Sequence, residues 1–131
     1  MKLLLDTHTL IWLFDGSNKL SELAKGEIEN RENHLFTSVV SFWEIAIKIS
    51  IGKLEMDLSM EDLQKLDWIN GIEILPVRVE HTFLLRTLPF HHKDPFDRLL
   101  FSQAKSEGIK LLSGDEMFDP YFNENGVEKI W

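Results

Sequence analysis

The stretch Lys2-Leu3-Leu4-Leu5-Asp6-Thr7-His8-Thr9-Leu10-Ile11-Trp12-Leu13-Phe14 decides the fold. Three consecutive leucines leave no polar face. They read as a short strand buried on both sides, as in a parallel sheet covered by helices. Asp6-Thr7 ends the run, and Thr9–Phe14 then spaces its apolar residues as a helix does. A doubly buried strand passing straight into a helix is the opening of a β-α-β unit.

The same alternation continues outward. The turn Asp15-Gly16-Ser17-Asn18 separates the first helix from a second over Ser21–Arg31. His34–Thr37 reads as a strand and Val39–Ile51 as a helix ended by Gly52. Ser59-x-x-Asp62 caps a helix reaching Ile69, and Gly71 breaks it. Ile72–Val77 reads as a strand, Val79–Thr87 as a helix stopping before Pro89, and Phe96–Glu107 as a helix closed by Gly108. Ile109–Leu112 and Val127–Ile130 complete the strands. This order predicts an α/β fold: one domain over residues 1–131, with a mostly parallel central sheet of about five strands flanked by helices.

Acidic residues sit where these elements meet. Asp6 follows the first strand. Glu44 lies in Thr37-Ser38-Val39-Val40-Ser41-Phe42-Trp43-Glu44. Asp94 and Asp97 open the helix of His91-His92-Lys93-Asp94-Pro95-Phe96-Asp97-Arg98. Asp115 follows Lys110-Leu111-Leu112-Ser113-Gly114. In open parallel sheets, sites form beyond the carboxyl ends of strands, where strand order reverses. Asp6 and Asp115 both lie just past such ends. Carboxylates gathered there repel one another and call for a cation. All-oxygen ligands favour hard Mg²⁺ or Mn²⁺. The pattern therefore points to a metal-dependent enzyme acting on phosphates.

Each acid also has a purely structural reading. Asp6 is a good cap for the helix after it, although Thr7 is available for the same task. Ser41-x-x-Glu44 matches a capping box, and Glu44 pairs at i,i+4 with Lys48. If Ser38 is the cap instead, Glu44 lies a turn further in and is free to face the pocket. Pro95 suits a first helical position, which makes Asp94 the cap and places Asp97 where acids favour the helix dipole. Asp115 follows a Ser-Gly turn, and Asp119-Pro120 repeats that turn chemistry. His91 and His92, adjacent in a loop, read as loop packing or as a cation near phosphate rather than as ligands of one ion. Trp12, Trp43 and Trp68 read as core or interface.

Bulk properties bound the rest. The chain has 131 residues, 44% of them hydrophobic and 27% charged, in the range of ordinary globular domains. There is no cysteine, which removes disulfides and thiolate metal sites and fits a reducing cytoplasm. The N-terminus reads as neither a signal peptide nor a membrane span. With 14 basic and 22 acidic residues the net charge is −8, so bulk electrostatics do not draw nucleic acid. An RNA substrate needs metal and a local basic patch, while a basic protein partner suits the surface directly. No phosphate-binding Gly-rich loop and no Gly-x-Ser-x-Gly elbow is present.

Leu3–Phe14, Ser38–Leu54 and Leu88–Asp115 together resemble the successive motifs of PIN-domain proteins, of the VapC type found as the toxin half of bacterial toxin–antitoxin pairs. The match spans nearly the full chain, and His91–Leu100 is similar to one VapC-like branch. The resemblance implies a Mg²⁺- or Mn²⁺-dependent endoribonuclease. It further implies a homodimer and inhibition by a cognate antitoxin. Carried over by motif, the catalytic acids are Asp6, Glu44, Asp97 and Asp115, with Asp94 as a nearby branch-typical acid. Two departures stand out: Ser113 replaces a more usual Thr, and Gly114 beside Asp115 is expected to loosen that acid.

The chemistry expected is hydrolysis by metal-activated water. Asp6 and Asp97, with Asp115, are the expected metal ligands, and Glu44 binds through water or orients the nucleophile. Thr7 and Ser113 supply supporting hydroxyls. Lys48 or Arg98 meets the RNA backbone, unless Arg98 pairs with a neighbouring acid. Trp12, Phe14 and the helix ending at Ile69 offer apolar surface for a second copy. An antitoxin is expected to cover Trp12 and Trp43 and to insert a basic residue toward Asp6 and Asp97. Two other readings remain. A receiver-like signalling domain needs paired acids after the first strand, and this chain has Asp6-Thr7-His8. A non-catalytic PIN scaffold that only binds RNA or a partner is the other.

Overall fold

A computed structural model describes the backbone of residues 1–131 and all side chains except those of Leu66, Asp67, Ile69, Asn123, Glu124 and Asn125. Five strands form one sheet: β1 (Lys2–Leu5), β2 (His34–Ser38), β3 (Glu73–Leu75), β4 (Lys110–Leu112) and β5 (Lys129–Ile130). Their order is β3-β2-β1-β4-β5, and every pairing is parallel. The mostly parallel sheet expected from sequence is therefore wholly parallel. The helices are α1 (Thr7–Asp15), α2 (Glu22–Glu29), α3 (Val39–Ser50), α4 (Met60–Ile69), α5 (Val79–Phe83), α6 (Pro95–Glu107) and α7 (Asp119–Asn125).

The three leucines of β1 act as their run predicts. Leu4 joins a core with Phe36, Leu100, Phe101, Leu111 and Tyr121 on one sheet face, while Leu3 and Leu5 join Leu20, Ala24, Leu35 and Leu112 on the other. All three are 0% exposed, and each contributes about 1.5–3 kcal/mol of burial. Strand order reverses beside β1: β2 and β3 lie on one side, β4 and β5 on the other. Leu5 pairs with Leu112, so Asp6 and Ser113 leave neighbouring strand ends together.

Three departures from the sequence reading have physical causes. The segment Val79–Thr87 divides into α5 and a 3-10 turn, Leu84–Arg86. Asp119-Pro120 starts α7 instead of a turn, since proline is acceptable in a helix's first turn. Strand β3 is shorter than Ile72–Val77, because Pro76 cannot donate to the ladder. Among the described residues, no helix is long and apolar enough to cross a membrane.

Candidate active site at the carboxyl ends of β1 and β4

Asp6 caps α1, and it also turns into the sheet's switch point. Its Oδ1 accepts from the Thr9 amide at 2.7 Å, and its Oδ2 accepts from the Ser113 hydroxyl at 2.5 Å. The two readings of Asp6 are thus one arrangement, and Thr7 is not the cap. Asp6 is 2% exposed, and desolvation raises its pKa against the lowering by the Ser113 and Thr9 hydrogen bonds. Thr7 instead donates to the Ser41 hydroxyl at 3.0 Å, tying α1 to α3. Thr9, which the sequence did not single out, donates from its hydroxyl to Leu112 O at 3.0 Å and ties α1 to β4.

The cap of α3 decides the position of Glu44. Ser38 Oγ accepts from the Val40 amide at 3.0 Å, so Ser38 and not Ser41 caps the helix. Glu44 then lies inside the helix, 2% exposed. Its Oε2 accepts from Lys48 Nζ at 2.6 Å, while Oε1 is buried with no hydrogen-bond partner. A buried carboxylate oxygen without a donor costs more than a kilocalorie. Burial works against the Lys48 ammonium, but its hydrogen bond to Glu44 and the charges of Glu44, Asp94 and Asp97 raise its pKa.

Helix α6 begins as its sequence specifies. Asp94 Oδ1 accepts from the Phe96 and Asp97 amides at 2.8 and 3.1 Å, with Pro95 in the first turn. Asp97 is 8% exposed. Desolvation, then the charges of Asp94, Glu44, Asp6 and Asp115, push its pKa from 3.8 to about 8. The other sequence-selected acids thus act on Asp97 through their charge, while the group close enough to share an ion among the described residues is His92, Asp97 and Asp115. Asp115 caps the 3-10 turn Glu116–Phe118 by accepting from Met117 N at 2.9 Å, and its own amide donates to Ser113 Oγ at 3.1 Å. Ser113 therefore connects Asp6 to the backbone of Asp115.

Gly114, the residue expected to loosen Asp115, packs against Trp131. The Trp131 indole lies against it, and a Cβ built on Gly114 would come 2.6 Å from Trp131 Cε2. The small residue admits the ring, and the ring holds the turn.

Two residues take parts different from those expected of them. His92 is 8% exposed, and its Nε2 lies 2.7 Å from Asp97 Oδ2 and 3.3 Å from Asp115 Oδ2. Its Nδ1 lies 3.4 Å from the Asp94 amide N, which leaves Nε2 as the ring nitrogen turned to the two acids. His92, Asp97 and Asp115 could together hold a metal ion. The sequence signal was present: His92 precedes Asp97 by five residues, across the cap. Arg98, expected at the RNA backbone or paired with a neighbouring acid, pairs with no acid among the described residues. It is 6% exposed and donates to Leu88 O, Pro89 O, His92 O and the Tyr121 hydroxyl, with Phe90 stacked on its guanidinium at 4.0 Å. It is the internal staple of the loop that delivers His92. The tryptophans divide as well: Trp12 is half-buried, whereas Trp43 and Trp68 are 55% and 82% exposed.

Solved structures share this fold. VapBC-1 from nontypeable Haemophilus influenzae has a TM-score of 0.70 at 16% identity, covering 99% of this chain and 97% of that one. VapBC2 from Rickettsia felis, bound to a DNA fragment from its promoter, gives 0.64 at 16% identity over 99% and 98% of the two chains. VapBC-5 from Mycobacterium tuberculosis, a toxin–antitoxin system, gives 0.59 at 16% over 98% and 97%. No curated protein matches the sequence. The PIN-domain family model matches residues 3–121, the whole span from the leucines of β1 to the buried tyrosine of α7, and the chain belongs to the PIN-domain family.

Proposed function

We infer that the protein is a Mg²⁺- or Mn²⁺-dependent endoribonuclease of the VapC toxin kind, held inactive by a cognate antitoxin. The observation that carries this is Glu44 Oε1, a buried carboxylate oxygen with no partner in a site where neighbouring acids already push Asp97 up to about 8. Lys48 supplies one positive charge to several carboxylates, and the remaining donors are mainly carboxylate oxygens, which fits a hard divalent ion. Asp97 and Asp115, whose oxygens come close enough to share an ion, would hold it together with Asp6 at the neighbouring strand end. A divalent ion there supplies Lewis acidity, acidifying water and balancing negative charge on a phosphodiester.

The chain's own groups do the rest. Ser113 and the Thr9 amide fix both oxygens of Asp6 in one orientation. His92 Nε2 lies between Asp97 and Asp115 and holds the two acids in place. Glu44 Oε1 is free to orient a water, and the Lys48 ammonium, partly exposed, meets a phosphate oxygen. All four acids of the motif occur in the sequence, which supports the nuclease reading over a non-catalytic scaffold.

Partners follow from surface rather than from the acids. A groove lined by Val39, Phe42, Met60, Glu61, Gln64 and Ile74 runs beside α4 and β3, suited to an antitoxin segment with apolar residues and a basic one. The solved relatives are named as VapBC complexes, which supports that partner. The test is cleavage of total RNA by purified protein. Activity is expected with Mg²⁺ or Mn²⁺ and not with EDTA. Asp6→Asn should lose most of it while keeping the parent's circular dichroism. Equal cleavage by Asp6→Asn would refute the assignment of this site.

A further inference from the structure

The turn that carries Asp115 is held from two sides. From within, Ser113 Oγ accepts from the Asp115 amide at 3.1 Å, and Asp115 Oδ1 accepts from Met117 N at 2.9 Å. From outside, β5 and the residue after it reach the turn. Lys129 Nζ donates to the Asp115 carbonyl at 3.3 Å and to Asp119 Oδ1 at 2.6 Å. The Trp131 indole lies on Gly114 so closely that a Cβ there would meet it at 2.6 Å. The same ring packs against Trp12 of α1, with centroids 5.8 Å apart. Trp131 thus bridges the turn before Asp115 and the helix that Asp6 caps.

Neither side chain follows the course its position suggests. A lysine on an edge strand ordinarily keeps its ammonium in water, where it discourages pairing with other chains. Lys129 lies on the edge strand β5, yet its side chain is only 17% exposed. The ladder brings it there: Leu112 pairs with Ile130, and Ser113 N donates to Ile130 O at 3.1 Å, one step into the turn. Gly114 has no side chain with which to fix that turn itself. Asp115, Asp97 and His92 offer ligand atoms within 4.8 Å of one another, and the place of Asp115 in that group depends on the turn. A ligand is effective when its support holds it within about 0.5 Å, and one left loose must be ordered at the moment of binding.

We propose that Trp131 and Lys129 are positioning residues for the metal centre: together they fix the Ser113–Asp115 turn from outside and hold the Asp115 carboxylate ready for an ion shared with Asp97. This rests on the metal-dependent reading above. Neither residue is a ligand. Charge alone gives the opposite expectation for Lys129. A cation beside an acidic site opposes a second cation, so its removal would tighten metal binding. A positioning role makes its removal weaken metal binding.

The test is titration calorimetry of Mn²⁺ into the full chain, with thermal unfolding of each variant alongside. Trp131→Ala should weaken Mn²⁺ binding about tenfold, the scale of losing a group that orients a ligand. Trp131→Phe keeps a ring over Gly114 and should stay near the parent. Lys129→Met keeps the stem, removes the ammonium and should also weaken binding. In an Asp115→Asn background, Trp131→Ala should cost Mn²⁺ nothing further. Ile28→Ala, on α2 against the same core as Trp131, should lower Tm and leave Mn²⁺ affinity unchanged, which separates stability from positioning. If Trp131→Ala does not fold, the direction of the Lys129→Met effect decides. The proposal is overturned if Trp131→Ala binds Mn²⁺ like the parent, if Lys129→Met binds it more tightly, if the Trp131→Ala loss persists in Asp115→Asn, or if Ile28→Ala loses as much affinity. A parent that binds no Mn²⁺ would overturn the metal reading itself, whereas a binding parent with unaffected variants overturns only the positioning role.

Discussion

Replacing Asp97 by Asn should make the metal-free protein more stable, and the gain should depend on pH. Asp97 has its pKa raised from 3.8 to about 8 by burial and by the charges of Asp94, Glu44, Asp6 and Asp115. Between those values the folded protein holds a proton that the unfolded chain has released. Stability therefore falls as pH rises from about 4 to about 8, the reverse of an acid held by a salt bridge. At 1.36 kcal/mol per pH unit the full penalty is about 6 kcal/mol. Neighbouring acids share protons with Asp97, so a measured effect of about 2–3 kcal/mol is expected.

Asn keeps the shape of Asp and can still hydrogen-bond with His92 Nε2. It loses the favourable charge in the first turn of α6, worth roughly 0.5 kcal/mol. The net gain at pH 8.5 in EDTA is then about 2 kcal/mol, or roughly 8 °C in Tm for a chain of this size. The assay is urea unfolding of parent and Asp97→Asn at pH 5 and pH 8.5, each with EDTA and with Mg²⁺. The gap should shrink toward pH 5, and Mg²⁺ should stabilise the parent far more than the variant. A variant no more stable than the parent at pH 8.5, or a gap equal at both pH values, would refute the reasoning.

Two further predictions concern the edges of the site and the surface. Gly114→Ala puts a Cβ 2.6 Å from Trp131 Cε2 and should cost about 1–3 kcal/mol by urea unfolding, a loss that Trp131→Ala relieves in the double variant; full stability of Gly114→Ala would show that the ring moves aside freely. The exposed Trp68 and the half-buried Trp12 and Phe14 predict a homodimer in sedimentation velocity at micromolar concentration, and a monomer there would count against a self-associating surface.

Much of this architecture was legible because β1 and β4 are nearly all leucine and because the helix boundaries carry strong signals. Ser38, Ser59, Asp94 and Gly108 each cap as their residue type prescribes. Helix α7 was missed because Asp119-Pro120 suits a turn and a helix start equally, although Phe118, Tyr121 and Phe122 carry helical spacing. Asp6, Asp94, Asp97 and Asp115 stood out because each lies at an element end, whereas Glu44 stood out only by its place inside an apolar helix. What the sequence could not supply was direction. Arg98 follows Asp97 and reads as a surface cation, yet its donors go to carbonyls of a loop ten residues earlier. His92 reads as half of a loop pair, yet the cap at Asp94 turns it back onto Asp97. Both facts depend on how residues 88–94 fold over the start of α6, which no local pattern encodes.

The distribution of hydrogen bonds within the site explains why its need for a cation is local rather than general. Asp6, Asp94 and Asp115 each accept from backbone amides at a helix start, at 2.7, 2.8 and 2.9 Å. Those donors, together with the partial positive charge of a helix N-terminus, offset much of the cost of three carboxylates. Asp97 and Glu44 accept from no backbone amide among the described residues. Asp97 relies on His92, and Glu44 on Lys48 through one oxygen only. The uncompensated charge is thus concentrated on the acids from α3 and α6, facing the capped acids of β1 and β4. Capping three acids and leaving two in one another's field puts the shortage of positive charge on the α3 and α6 side of the cluster, where the proposed ion would relieve it most.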